Sequence, residues 1–263
     1  MANTAKRGRR SAWATVALLG VALLLSGGAY FAFSNTASAD SQQASSQTKV
    51  DEGQKLYLAN CATCHGMNAE GTAAGVTLIG VGAASVDFQL GTGRMPMQMD
   101  GPQAYRKSPQ FKQPAIDSIA AYIASLAPGP GVPADTYLDA SKGDPARGAE
   151  LYRVNCAMCH NVAYQGGALT EGKFAPPLIG VESRHIYEAM LTGPQNMPVF
   201  NDNNLGPEDK RDIISAIRWT EANGATSVVS LGGIGPVAEG IFLWLIGLGG
   251  IVGVTVWLTS RPN

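Results

Sequence analysis

Asn60-Cys61-Ala62-Thr63-Cys64-His65 is the stretch that decides how this 263-residue chain is read, and Asn155-Cys156-Ala157-Met158-Cys159-His160 repeats it. The pattern C-x-x-C-H is that of a c-type haem attachment site. Two thiols separated by two residues can reach the two vinyl groups of one haem and hold it by thioether bonds. The histidine directly after them is then forced beneath the macrocycle, where its imidazole can bind the iron. The two sites use all four cysteines and two of the three histidines. Disulfides in an exported chain or a structural zinc would draw on the same residue types. Zinc ribbons, however, set their C-x-x-C pairs about 15–20 residues apart, whereas these lie 95 apart and each carries its own histidine. A thioredoxin-like pair would want a βαβ setting, which the flanks do not supply. The expected cofactors are two covalently bound haem c groups.

The flanks of the two sites repeat as well. Gly53-x-x-Leu56-Tyr57-x-x-Asn60 precedes the first and Gly148-x-x-Leu151-Tyr152-x-x-Asn155 the second. This spacing predicts a helix that delivers the cysteines to the haem edge, with Asp51-Glu52 and Asp144 near the helix starts, where the dipole favours negative charge. Downstream, Leu78-Ile79-Gly80-Val81 answers Leu178-Ile179-Gly180-Val181, Thr92-Gly93 answers Thr192-Gly193, and Met95-Pro96 answers Met197-Pro198. The offset grows from 95 to 100 and then 102, as insertions in surface loops would produce. Each repeat is expected to close on an apolar-periodic helix with a late aromatic, about 114–126 with Tyr122 and about 207–222 with Trp219.

Each iron needs a sixth ligand, and methionine opposite histidine raises the potential of electron-carrying c-type centres. The repeat nominates Met95 for the first haem and Met197 for the second. Met97 and Met99 crowd the first choice. The expected haem-binding set is therefore Cys61, Cys64, His65 and Met95 with Cys156, Cys159, His160 and Met197. Of these, His65, Met95, His160 and Met197 would ligate iron. His185 has Ser85 as its counterpart and reads as a surface or supporting residue; the alternative is a bis-histidine second haem, which would have a lower potential. Pro177 is expected to offer its carbonyl to the ring N–H of His160, and Thr77 to stand in its place in the first repeat. No acid–base pair or nucleophile forms a recognisable catalytic constellation.

Between and around the repeats the composition shifts. Residues 49–127 and 142–225 read as two haem domains, joined by a proline–glycine hinge at 128–141. Residues 1–10 form a basic flank and 11–33 an uncharged run long enough to cross a bilayer. Residues 34–48 are Ser-, Gln-, Ala- and Thr-rich and read as a flexible linker. A second linker is expected at 226–239, a transmembrane helix at 240–260 and a short tail at 261–263. Trp244 and Trp257 lie towards the two ends of that second run, and Arg261 comes after it. The flanking basic residues place both termini in the cytoplasm and the haem domains outside. Two readings of the first run stand: a retained anchor, or a signal peptide cleaved after Ala37-Ser38-Ala39. The net charge of −1 and pI near 6.3 give no sign of nucleic-acid binding. Six basic and six acidic residues in 49–128, and eight and ten in 142–225, show no lysine excess of the kind that steers a diffusing carrier.

Two C-x-x-C-H domains in tandem, an N-terminal hydrophobic segment and a C-terminal span make the chain resemble the dihaem cytochrome c subunit of the actinobacterial-type cytochrome bcc complex, a quinol–cytochrome c reductase. The resemblance implies a mainly α fold of two tandem cytochrome c-type domains with a transmembrane helix at each end. It implies a translocase subunit without a catalytic site of its own, in a dimeric assembly with a cytochrome b subunit and a Rieske iron–sulfur subunit. Electrons would pass from the Rieske centre through the two haems to a terminal cytochrome c oxidase. The rival readings are a dihaem subunit of another respiratory oxidase or dehydrogenase, a dihaem peroxidase, and a haem sensor.

Overall fold

The computed structural model describes residues 12–99, 101–223 and 236–260. The basic flank at 1–10, the tail at 261–263 and most of the 226–239 linker lie outside the described residues.

The first repeat opens on the long helix α1, Ala12–Asn60. Residues 34–48, expected as a linker, are helical and continuous with the stretch that leads to Asn60. No glycine or proline interrupts the chain from Ala29 to Glu52, so nothing stops the helix there. Asp51 and Glu52 consequently sit within a helix rather than at its start. After the short turn α2 (Ala62–His65) come α3 (Gly82–Gly91) and α4 (Gln113–Leu126). The end of α1 crosses α4, and Gly53 is the point of crossing: a Cβ there would fall 1.9 Å from the Ser118 carbonyl oxygen. Ile116, Ile119 and Ile123 recur at helical spacing on α4 and are buried with Tyr57, Val86 and Leu90. Tyr57 is fully buried, its ring 5.3 Å from that of Tyr122.

The second repeat rebuilds this arrangement. A short helix α5 (Asp135–Leu138) leads to α6 (Pro145–Asn155), the turn α7 (Ala157–His160), α8 (Ser183–Thr192) and α9 (Pro207–Asn223). Asp144 caps α6 by accepting from the Ala146 and Arg147 amides, with Pro145 at the first helical position. Helix α6 crosses α9 at Gly148, where a Cβ would fall 1.8 Å from the Asp212 carbonyl oxygen. Ile213, Ile214 and Ile217 of α9 fill the core with Tyr152, Ile186, Tyr187 and Met190. The aromatic parity expected of the closing helices breaks here. Trp219 is 57% exposed, and Tyr152 instead packs its ring 4.3 Å from that of Tyr164.

The five-residue drift between the repeats has a definite location. Leu78 N–H donates to Ala69 O, and Leu178 N–H donates to Tyr164 O. The extra residues therefore fall between Tyr164 and Leu178, where the antiparallel pair β1 (Gly167–Ala168) and β2 (Phe174–Ala175) forms a small hairpin.

Residues 128–141, expected as a hinge, are anchored on both sides. Ala84 N–H donates to Pro130 O, and Gly129 lies against Gly80 and Gly82 so closely that a Cβ would meet backbone at 2.6 Å. Tyr137, Leu138 and Ala140 pack against the second core. Between the repeats, α3 and α8 face one another: Arg184 pairs with Asp87 at 3.4 Å.

At the C-terminal end, α10 (Pro236–Leu243), a π-helical turn at Trp244–Leu248 and α11 (Gly249–Thr259) run on as one helix. Gly240–Thr259 within it is 20 residues long, has a mean hydropathy of 2.2 and has no buried residue. That length matches a bilayer core at 1.5 Å per residue. In α1 the apolar run is shorter, Trp13–Gly28.

Candidate haem-attachment sites

Each C-x-x-C-H stretch is a single tight turn at the end of a helix. Cys61 N–H donates to Tyr57 O, and both Cys64 and His65 N–H groups return to Cys61 O. In the second repeat Cys156 bonds to Tyr152 O, and Cys159 and His160 return to Cys156 O. The tyrosine that precedes each site closes the turn from below. Tyr57 Oη donates to Gly66 O at 2.6 Å, and Tyr152 Oη donates to Asn161 O at 2.7 Å. Both acceptor residues have positive φ, +85° at Gly66 and +67° at Asn161. Glycine and asparagine are the residues that adopt this conformation most readily.

The two histidines are oriented alike. His65 Nδ1 meets Val76 O at 2.7 Å, and His160 Nδ1 meets Pro176 O at 2.9 Å. The expected carbonyls of Thr77 and Pro177 are thus replaced by those of the preceding residue in both repeats. In the first repeat Thr77 donates its hydroxyl to Ala69 O at 3.1 Å instead. With Nδ1 engaged by a carbonyl, Nε2 is the nitrogen left to ligate a metal. Burial holds His160 below the ordinary imidazole range, with the Pro176 carbonyl opposing.

None of the four cysteines is in a disulfide. Burial, and then the second thiol of the pair, pushes Cys61 up to about 11 and Cys156 up to about 12. A cavity of about 370 Å³ opens beside the second site, lined by Cys156, Cys159, His160, Met190 and Met197, with mostly apolar walls. Met197 packs against the second core and Met95 against the first. Met97 is 38% exposed and Met99 80% exposed. Both repeats present paired cysteines on one turn and a histidine with one ring nitrogen held, and the second adds an apolar cavity with a methionine in its wall, the donor set that a covalently held haem requires.

Three features were not anticipated. His185 is no surface residue: it is 8% exposed, edge-on to Phe88 at 6.3 Å, and close against Gly91. Beside it, Asp87 accepts from Gln113 at 2.7 Å, and Glu188 is fully buried with the Asp87 carboxyl as its polar neighbour. Arg94, Gln103 and Arg106 of the first repeat line the cavity of the second. The sole sequence signal for the first two features was a histidine and two acids at positions otherwise apolar on α3 and α8.

Comparison with known proteins places these turns in context. A family described as "Cytochrome c" matches residues 50–127, and one described as "Cytochrome C oxidase, cbb3-type, subunit III" matches residues 143–215. A cytochrome bc1 complex cytochrome c subunit of Corynebacterium efficiens is 43% identical, over 83% of this chain and 79% of its own length. Those of Mycobacterium leprae and Mycobacterium tuberculosis are 41% and 39% identical, over 93% and 98% of this chain and 86% and 94% of their own. The chain belongs to the family of cytochrome bc1 complex cytochrome c subunits. Its two cytochrome c domains imply covalently bound haem c and electron transport, and relatives of this family are subunits of an oxidoreductase complex. The apolar helix at 240–259 is compatible with a membrane anchor in such a complex.

Proposed function

We propose that the chain is a membrane-anchored subunit of a quinol–cytochrome c reductase that relays electrons from a Rieske iron–sulfur subunit to a terminal cytochrome c oxidase. The observation that carries this reading is the duplicated turn itself, with its paired thiols and its held histidine, in a chain of this family. Haem c, when bound, supplies a one-electron ferric–ferrous couple. The chain's residues do the rest. Cys61, Cys64, Cys156 and Cys159 would attach two groups. His65 and His160 would ligate through Nε2, their rings held by the Val76 and Pro176 carbonyls. Met95 and Met197 would complete the sets; Met95 is supported over Met97 by its packing on the core. The repeats 49–127 and 142–225 would be the two haem domains, set outside the cytoplasm with both termini inside, and residues 11–33 would be a retained second anchor. The assembly would be dimeric, with a cytochrome b subunit as a further partner, and the chain would contribute no catalytic site of its own to this translocase.

A second reading has one observation in its favour: the match of 143–215 to a cbb3-type oxidase subunit. Gentle extraction from the native membrane, with haem quantitation and reduced-minus-oxidised spectra, separates the two. Two haem c per chain, accompanied by b-type haem and a Rieske signal, is the expected result; a-type haem as well would establish the link to an oxidase. Haem c with an oxidase and no Rieske signal would overturn the reductase assignment.

A further inference from the structure

The cavity beside Cys156 and His160 is not closed by the second repeat alone. Part of its wall is Phe88, Arg94, Gln103 and Arg106 of the first. Arg94 is 7% exposed, with its guanidinium over the Phe88 ring, 4.7 Å from the centroid. Its sequence neighbour Met95 packs instead on the first core. Two adjacent residues therefore serve two different sites.

The segment that carries Arg106 is fixed against the second repeat. Gln103 exchanges two hydrogen bonds with the Phe174 backbone, donating through Nε2 to the carbonyl and accepting at Oε1 from the amide, each at 2.9 Å. Tyr105 stacks on the Phe174 ring at 5.8 Å. Among the described residues no carboxylate pairs with Arg94 or Arg106: Asp87 is engaged by Arg184, and the other ion pairs lie elsewhere. A guanidinium buried as deeply as that of Arg94 without a counter-charge is costly. Two guanidinium groups at one apolar cavity call for an anion with planar carboxylates, which arginine receives bidentately. Haem carries two such groups, its propionates.

We propose that Arg94 and Arg106 of the first repeat bind the propionates of the haem attached at Cys156 and Cys159 in the second. This rests on the haem reading above. The two domains would then be joined through the cofactor as well as through protein, and the charge of Arg94 and Arg106 would disfavour the ferric state of that haem. Loss of this charge lowers its potential.

The test uses the full chain in its native complex, as wild type, Arg94→Gln, Arg94→Lys and Arg106→Gln. Haem content is measured first, and a wild type without two haems c would refute the haem reading rather than this one. With two haems present, the glutamine variants are expected to shift one of two midpoint potentials downward and leave the other in place. The haem that moves should be the one whose spectrum Met197→Ala alters. Propionate bending bands in the resonance Raman spectrum should move in both glutamine variants. Arg94→Lys should move the bands while retaining most of the potential, since it keeps the charge and loses the fork. Arg106 is exposed, so Arg106→Gln carries the test if Arg94→Gln does not fold. Unmoved bands and potentials in a fully loaded Arg106→Gln protein, or a shift confined to the other haem, would overturn the proposal.

Discussion

Gly148 and Met197 show how much rests on single side chains, one by having none and one by its sulfur. At Gly148 a methyl group would fall 1.8 Å from Asp212 O, and at Gly53 it would fall 1.9 Å from Ser118 O. Neither helix can yield without disturbing the isoleucines packed beneath it. Gly148→Ala should cost about 1–3 kcal/mol or more in denaturant unfolding, with Gly53→Ala similar; an unchanged midpoint would show that the crossing relaxes freely. Met197 lies in the cavity wall with its backbone amide bonded to Pro194 O. Met197→Ala should lower the potential of one haem and remove its sulfur-to-iron absorption band, while Met97→Ala leaves both haems unaltered. A wild-type spectrum from Met197→Ala would place the sixth ligand elsewhere.

At the scale of elements, α8 against α3 is the interface with an electrostatic cost built into it. Glu188 on α8 is fully buried, and burial, then the Asp87 carboxyl beside it, pushes its own carboxyl from an ordinary 4.5 up to about 10. Between those values the folded chain retains a proton that the unfolded chain has released. Stability is therefore greatest with respect to this group below about 4.5, and it falls as pH rises through the window. Glu188→Gln keeps the shape and removes the titration. It should raise unfolding stability at pH 8 by at least about 1 kcal/mol and flatten the decline between pH 5 and 8. Thermal unfolding of both proteins across that range is the check, and parallel curves would mean that Glu188 is ionised in the fold at no cost.

For the molecule as a whole, the question is what holds two haem domains at a membrane. The helix at 240–259 has the length and hydropathy to do so alone. If residues 11–33 are retained, as proposed, a chain lacking 240–260 should still sediment with membranes and resist extraction by salt or carbonate. Its appearance in the soluble fraction, with a mature N-terminus after Ala39, would show that the first segment is removed. Either way the two domains should travel together. The 128–141 connection is packed on both repeats, and Gln103 and Tyr105 tie the first to the hairpin of the second.

The C-x-x-C-H turns, the tandem repeat and the C-terminal apolar helix were legible in the residues, because each depends on short spacings that a linear pattern records. Gly53 and Gly148 were visible as repeated letters, but their reason, a helix crossing, lies 60 or more residues away in the chain. The ring acceptors were missed by one residue because a carbonyl's direction depends on backbone torsions, which residue type alone leaves open. Of the two places expected for His185, surface or supporting, its burial excludes the first, and the residues could not show this because burial at a seam depends on which faces of α3 and α8 meet. The sequence by itself thus determined the cofactor class, the twofold organisation and the family. Only the tertiary structure decided that the second cavity is walled by both repeats, since that comes from packing between segments that no local pattern connects.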